Sequence, residues 1–156
     1  MGFNYHHPDT RPQVYDIVWS KWPRREDKLS PGPWTRCVLV VDVTPMQDER
    51  DGSEFFAVTA QYGTDRDKVA EEDWANNLVI EEHEFRALGL HKPTVFKFDL
   101  GNRKRLPWCE EYFLPQGYVR SQGLIAGSLN TGQRVKFHSC FNARGLTFPC
   151  PAPAVA

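Results

Sequence analysis

Apolar positions along this chain come in short runs rather than in helical stripes. The densest run is Thr35–Val43, Thr-Arg-Cys-Val-Leu-Val-Val-Asp-Val, bounded by Pro33 and Pro45. A short unbroken apolar run between turn residues predicts a strand buried on both faces. Its valines speak against a helix, where β-branched side chains lose rotamer freedom. We expect this strand at the centre of a β domain, with Arg36 at its start. Before it, Val14–Trp19 reads as a first strand, rich in β-formers. After it, Gln47–Ser53 is a polar turn in which Asp51-Gly52 is a hairpin signal. Glu54–Tyr62 then returns antiparallel and ends at Gly63-Thr64-Asp65.

The second half continues in short elements. Asn77–Glu81 reads as a strand, and Glu82–Leu88 as a short helix stopped by Gly89. Thr94–Leu100 alternates: Thr94, Phe96, Phe98 and Leu100 share one face, Val95, Lys97 and Asp99 the other. Gly101-Asn102 turns the chain, and Arg103–Trp108 is expected to return as the hairpin partner of that strand. Tyr118–Ile125 is a further candidate strand. Asn130 or Thr131 can cap a helix running to Arg144, with Phe137, Cys140, Phe141 and Arg144 on one face and Gly145 as its stop. Few short strands and a terminal helix predict a mainly β chain, an SH3-like antiparallel β-barrel rather than a sandwich. The expected organisation is a loose arm over residues 1–13, one domain over 14–146, and an extended, Pro-bearing tail over 147–156.

Composition narrows the function classes. At 156 residues the chain can bury its own core. No apolar run approaches the ~20 residues of a membrane span. The N-terminus lacks a basic start followed by an apolar segment, so we expect no signal peptide, no membrane and a cytoplasmic location. The formal charge of −1 rules out a global basic field, so any nucleic-acid contact must use local clusters. Cys37, Cys109, Cys140 and Cys150 are scattered without a Cys-x-x-Cys pair, and His6-His7 has no third ligand near it. Neither a metal nor a cofactor is expected.

Catalytic motifs are sparse. There is no phosphate loop, no His-Glu-x-x-His and no Gly-x-Ser-x-Gly. Glu71-Glu72-Asp73 and Glu81-Glu82 read as solvated faces, and His83 and His138 as structural. The informative stretch is Ser20–Trp34, a long loop of the kind that is usually functional or disordered. It interleaves Lys21, Arg24, Arg25 and Lys28 with Trp22 and Trp34. Cations suit phosphates and rings suit bases, so the loop fits single-stranded nucleic acid. The same composition also fits a solvated loop whose Trp residues pack back on the barrel.

The order of motifs resembles the PemK/MazF family of toxins. Asp16-Ile17-Val18-Trp19 is followed by Pro31-Gly32-Pro33, by Arg36 opening Val38-Leu39-Val40-Val41, and by Ala60-Gln61-Tyr62-Gly63-Thr64. Glu84-Phe85, Ala87-Leu88-Gly89-Leu90, Pro93-Thr94, Phe96–Leu100 and Leu106-Pro107-Trp108 resemble a divergent PemK-like branch, and the likeness spans Val14 to Phe113. The resemblance implies an SH3-like barrel, a homodimer, and a metal-independent endoribonuclease cutting single-stranded RNA, with a cognate antitoxin or other protein partner. It implies attack by the ribose 2′-hydroxyl. Arg36 would then be the cation on the phosphorane and Thr64 would orient the scissile phosphate. Trp19, Lys21, Trp22, Arg24, Arg25 and Gln61 would contact RNA.

Three positions depart from the family pattern. Its Gly before Asp-Ile-Val is Tyr15, its Arg-Pro is Arg36-Cys37, and its Thr-Ser-Gln or Thr-Thr-Gln is Thr64-Asp65-Arg66. An acid beside the phosphate site would repel substrate. These departures open a second reading: a barrel without nuclease chemistry acting as a binding module, such as a prophage- or mobile-element-encoded blocker of a host defence complex. On bland grounds, Arg36 is a strand-edge arginine paired with Asp16 or Asp42, and Thr64 an ordinary turn residue.

Overall fold

The computed structural model describes residues 2–115 and 123–145. The strands are β1 (Asp16–Lys21), β2 (Thr35–Gln47), β3 (Glu54–Asp65), β4 (Leu78–Ile80), β5 (Thr94–Phe96), β6 (Arg103–Pro107) and β7 (Ile125–Ser128), followed by helix α1 (Thr131–Ala143). They form one curled antiparallel sheet, a half-barrel, in the order β4-β5-β3-β2-β1-β7, with β6 also beside β3. Most of the candidate strand Tyr118–Ile125, and the whole tail over 147–156, lie outside the described residues.

The expected central strand is central. Val38, Leu39, Val40 and Val41 expose no surface. Leu39 and Val41 join Ile17, Phe96, Phe98, Phe137 and Phe141 in one apolar cluster. Val38 and Val40 join Val18, Val58, Trp108 and Phe113 in another. Period-two alternation thus feeds two cores, one on each face of the sheet. The first face is covered by α1 and by the segment carrying Phe85, Leu88 and Leu90. The second is covered by residues 108–113 and by the N-terminal segment.

β2 does not stop at Pro45 but runs to Gln47. β1 pairs β2 only over Thr35–Leu39, so Pro45 has a strand neighbour on one side alone, opposite Phe56. On such an edge a missing N–H costs no ladder bond. A register shift between Val40 and Asp42 marks a bulge there. β3 likewise runs past Tyr62 to Asp65, because it serves two partners in turn. Ala57–Gln61 pairs β6, and Gly63–Asp65 pairs β5. The expected hairpin between Thr94–Leu100 and Arg103–Trp108 is therefore absent: both segments flank β3. The connection between them is pinned by the Gln61 amide, which donates to the carbonyl of Lys97 at 2.7 Å.

α1 forms as the spacing predicts. The Asn130 side chain accepts from Gln133 N and the Gln133 side chain accepts from Asn130 N, each at 2.9 Å, closing a capping box. Phe137, Cys140 and Phe141 are its buried face. The short helix expected over Glu82–Leu88 is reduced to a 3-10 turn, Arg86–Leu88, ended by Gly89 at φ 72°.

Residues 2–13, expected as a loose arm, are docked. Tyr5 forms a bridge with Cys109, His6 N donates to Trp108 O at 3.2 Å, and Trp108 Nε1 donates to Thr10 Oγ1 at 3.1 Å. The Tyr5 ring stacks on Phe55 with centroids 4.6 Å apart. The polar composition of the segment concealed these aromatic anchors. Among the described residues no helix is long and apolar enough to cross a membrane.

Candidate active site and nucleic-acid interface

β1, β2 and β3 end together at one rim of the sheet. Register sets Trp19 opposite Cys37, Ser20 opposite Arg36, and Val38 opposite Tyr62. Side chains alternate, so Trp19, Cys37 and Gly63 belong to one face, and Arg36, Tyr62 and Thr64 to the other. Two hollows lie at this rim, and Arg36 lines both.

The first hollow is lined by Trp19, Arg36, Cys37, Gly63, Thr64 and Asp65, with Lys68, His91 and Lys92 at its sides. Trp19, Arg36 and Thr64 all border it, but by the alternation above the Arg36 and Thr64 side chains belong to the sheet face opposite Trp19. Gly63 is its tightest point. A Cβ there would stand 2.7 Å from Phe96 Cε1, 2.8 Å from Cys37 O and 2.9 Å from Cys37 Sγ. Only glycine lets β2, β3 and β5 close at this spot. Arg36 is exposed, and among the described residues its side chain forms no hydrogen bond or ion pair. Asp16 instead accepts from Gln13 N at 2.8 Å, and Asp42 accepts from Thr44 Oγ1 at 2.8 Å. The bland pairing of Arg36 with either acid is not formed.

Asp65 is the one acid of this hollow, and it stands between Lys68 and Lys92, 3.6 Å from each ammonium. With Arg36, cations outnumber the acid. Burial is the main cause that pushes the Cys37 thiol up to about 12, so it is protonated at neutral pH and is no thiolate nucleophile.

The second hollow is lined by Trp22, Arg24, Arg25, Trp34, Arg36, Tyr62, Lys97 and Lys104, among others. Five of its residues are cationic, and among the described residues no carboxylate lines it. The Trp22 and Tyr62 rings lie 5.8 Å apart, and Lys104 Nζ stands 6.0 Å from the Trp22 ring. Trp34 is 65 % exposed. The loop from Trp22 to Trp34 is held at both ends. Gly32 N donates to Lys21 O at 3.0 Å, and a Cβ on Gly32 would collide with Trp22 O. Tyr112 Oη donates to Leu29 O at 3.1 Å, fixing the loop near its tip.

Of the expected RNA contacts, Trp22, Arg24 and Arg25 line the second hollow and Trp19 the first. Lys21 lines neither. Gln61 faces inward with no exposed surface. Its amide bonds the carbonyl of Lys97 and its oxygen accepts from Arg103 Nε, so it supports the wall rather than presenting a surface. Sequence reasoning missed Lys97, Lys104, Trp22's ring partner Tyr62, and His91. The alternation of Thr94–Leu100 already turned Lys97 away from the phenylalanines. Arg103-Lys104-Arg105 is a local basic cluster that could have drawn notice.

No family model, curated protein or solved structure matches this chain. Among the described residues no group of His, Cys, Asp and Glu could hold a metal ion.

Proposed function

We propose that the chain binds single-stranded RNA in the cationic, aromatic hollow and cleaves it at Arg36 and Thr64 by a metal-independent endonuclease reaction, as a PemK/MazF-like, SH3-like barrel. The observation that carries this reading is the position of Arg36. It is free of hydrogen bonds and ion pairs among the described residues, and it stands where a carboxylate-free groove of five cations meets the hollow holding Thr64. Such a groove tracks a phosphate backbone, and Trp22, Trp34 and Tyr62 offer faces for bases. A strand running along it carries a phosphate to the guanidinium.

The chemistry asks little more of the protein. The 2′-oxygen attacks the adjacent phosphorus, and negative charge grows on the non-bridging oxygens. Arg36 meets that charge with a permanently charged, two-pronged donor, and the Thr64 hydroxyl donates to one oxygen. Exposed Leu29 (89 %) and Trp34 on the same loop favour a second use of this face, the docking of a protein partner such as an antitoxin. A homodimer and a cytoplasmic location belong to the same proposal.

The test is incubation of purified protein with a long single-stranded RNA in EDTA, beside Arg36→Ala. Loss of one transition-state donor typically costs ~10²–10³-fold in rate. Cleavage by the wild type, lost in the variant and on a 2′-deoxy substrate, supports the reading. Equal cleavage by both proteins rejects the role of Arg36. Tight RNA binding without cleavage rejects the nuclease and leaves the binding module.

A further inference from the structure

β4 is the outermost strand at its end of the sheet, and a hollow of about 370 Å³ lies between it and α1. Asn77, Leu78 and Val79 line the hollow on one side, and Val135, Ser139 and Cys140 on the other. Val135 is 62 % exposed, a large apolar side chain on α1 outside its buried face.

The ladder fixes which backbone groups leave the sheet here. Lys97 N donates to Tyr62 O, and Arg66 N to Pro93 O, each at 2.9 Å. Bonded pairs recur at every second residue of an antiparallel ladder, so midway between these two the Val95 N–H and C=O turn to Thr64 on β3. Thr94 and Phe96 then turn theirs to β4, where they meet Ile80 and Leu78. Val79 is left with its N–H and C=O pointing off the free edge, and among the described residues neither has a partner. An edge of this kind is a template for one more strand.

The chain itself returns to this edge. α1 runs opposite to β4. Near its start, Gln133 Nε2 donates to Glu84 Oε2 at 2.9 Å, beyond the end of β4. At its end, Arg144 donates to Asn76 O and Asn77 Oδ1, each at 2.8 Å, just before β4 begins. Gly145 follows at φ 70°, the left-handed turn that ends a helix. The next residues are Leu146-Thr147-Phe148-Pro149. Asn77 and Val79 are about 7 Å apart along a strand, a span that roughly two or three extended residues cover.

We propose that Leu146–Phe148 adds to the edge of β4 as a short parallel strand, with Thr147 beside Val79. In a parallel pair one residue bonds the two that flank its neighbour. Val79 N–H therefore donates to Leu146 O, and Phe148 N–H donates to Val79 O. Neighbours across a ladder point to the same face. Leu146 and Phe148 take the face of Leu78 and Ile80, which is the face that α1 covers, and set apolar side chains beside Val135 and Cys140. Thr147 takes the other face with Val79. Pro149 has no N–H to donate and stops the ladder after this one exchange. An apolar-polar-apolar triplet closed by proline thus matches an edge that offers one N–H and one C=O.

Amide exchange of the full chain, followed residue by residue by NMR, tests this. We expect the Val79 N–H to be protected in the wild type, as those of Leu78 and Ile80 are, and the Phe148 ring to show NOEs to the Val135 methyls. Phe148→Asp and Val135→Asp should each speed Val79 exchange by at least about tenfold and leave that of Ile80 unchanged. Free exchange of Val79 in the wild type, or protection that survives Phe148→Asp, overturns the proposal. Protection that grows with protein concentration assigns the edge to a second copy of the chain and overturns it as well.

Discussion

The groove beside Arg36 makes a quantitative claim about salt. Arg24, Arg25, Arg36, Lys97 and Lys104 line it, and among the described residues no carboxylate does. Each phosphate neutralised on a single strand releases counterions and contributes about −0.7 to the slope of log K against log salt. Engagement of all five cations gives a slope of about −3.5, so affinity falls roughly a hundredfold between 50 and 200 mM salt. Lys104→Ala should reduce the slope by about 0.7, and should weaken binding most at low salt. Lys136, on α1 and lining a different hollow, supplies the control: Lys136→Ala should leave the slope where it was. Fluorescence anisotropy with a labelled 2′-O-methyl oligonucleotide measures these slopes without cleavage. The net charge of −1 makes the result diagnostic, because a protein without a local basic face has no such slope. A slope shallower than about −1, or one that Lys136→Ala and Lys104→Ala reduce alike, would refute the placement of RNA in this groove.

Trp22→Ala should weaken RNA binding by about 1–3 kcal/mol at all salt concentrations, as expected for a lost stacking face; unchanged anisotropy titrations would return the loop to a packing role. Gly63→Ala forces a methyl group against Cys37 O and the Phe96 ring, and should destabilise the fold by about 1–3 kcal/mol in urea unfolding. Tyr15 sits at φ 81°, so Tyr15→Gly should be more stable than Tyr15→Ala by about 1 kcal/mol, the reverse of the usual order, in the same assay. Asp48 is held down to about 2, chiefly by the Tyr5 hydroxyl at 2.7 Å and then by Arg50. A carboxylate depressed in the folded state contributes stability above its unfolded pKa and loses it as pH falls toward 2. The docked N-terminal segment should therefore loosen between about pH 4 and 2. Trp108 fluorescence would report this, and Tyr5→Phe should shift the loosening to higher pH.

How much of this was legible depends on where the determining contacts lie. The central strand could be read because Val38–Val41 has no exposed surface, and burial on both faces writes itself as an unbroken apolar run. α1 could be read because its cap and its phenylalanines are local, within a few residues of one another. The pairing of β6 with β3 could not, since Arg103–Pro107 looks the same beside either neighbour. What decides it is the length of β3 and the buried Gln61 amide, both tertiary facts. The arm misled for a similar reason: Tyr5, His6 and Thr10 are polar enough for solvent until Phe55 and Trp108 are set beside them. At the site, Arg36, Thr64 and the loop of Trp22, Arg24 and Arg25 were visible as residue types in order. Lys97, Lys104 and His91 come from segments far along the chain and reach the rim only through the curl of the sheet.

The same contrast bears on the three departures from the proposed PemK/MazF-like pattern. Each looks damaging in the sequence, and each is absorbed by its surroundings. Tyr15 keeps the left-handed backbone that a glycine would prefer. Its side chain offsets that strain by joining the sheet to α1: the hydroxyl lies 2.7 Å from His138 Nε2, the ring packs edge-on against Phe137, and Arg134 lies over it at 4.4 Å. Cys37 is half-buried against Gly63 and its thiol stays protonated, so the position adds no competing nucleophile beside Arg36. Asp65 carries the charge most hostile to a phosphate, and Lys68 and Lys92 flank it. Such exposed pairs are individually weak, of order 0–1 kcal/mol. Their effect here is on the sign of the local field rather than on stability. With Arg36 beside them, the mouth of the hollow keeps an excess of positive charge. The departures therefore do not by themselves argue against the proposed chemistry, and the decision passes to whether RNA reaches Arg36 at all.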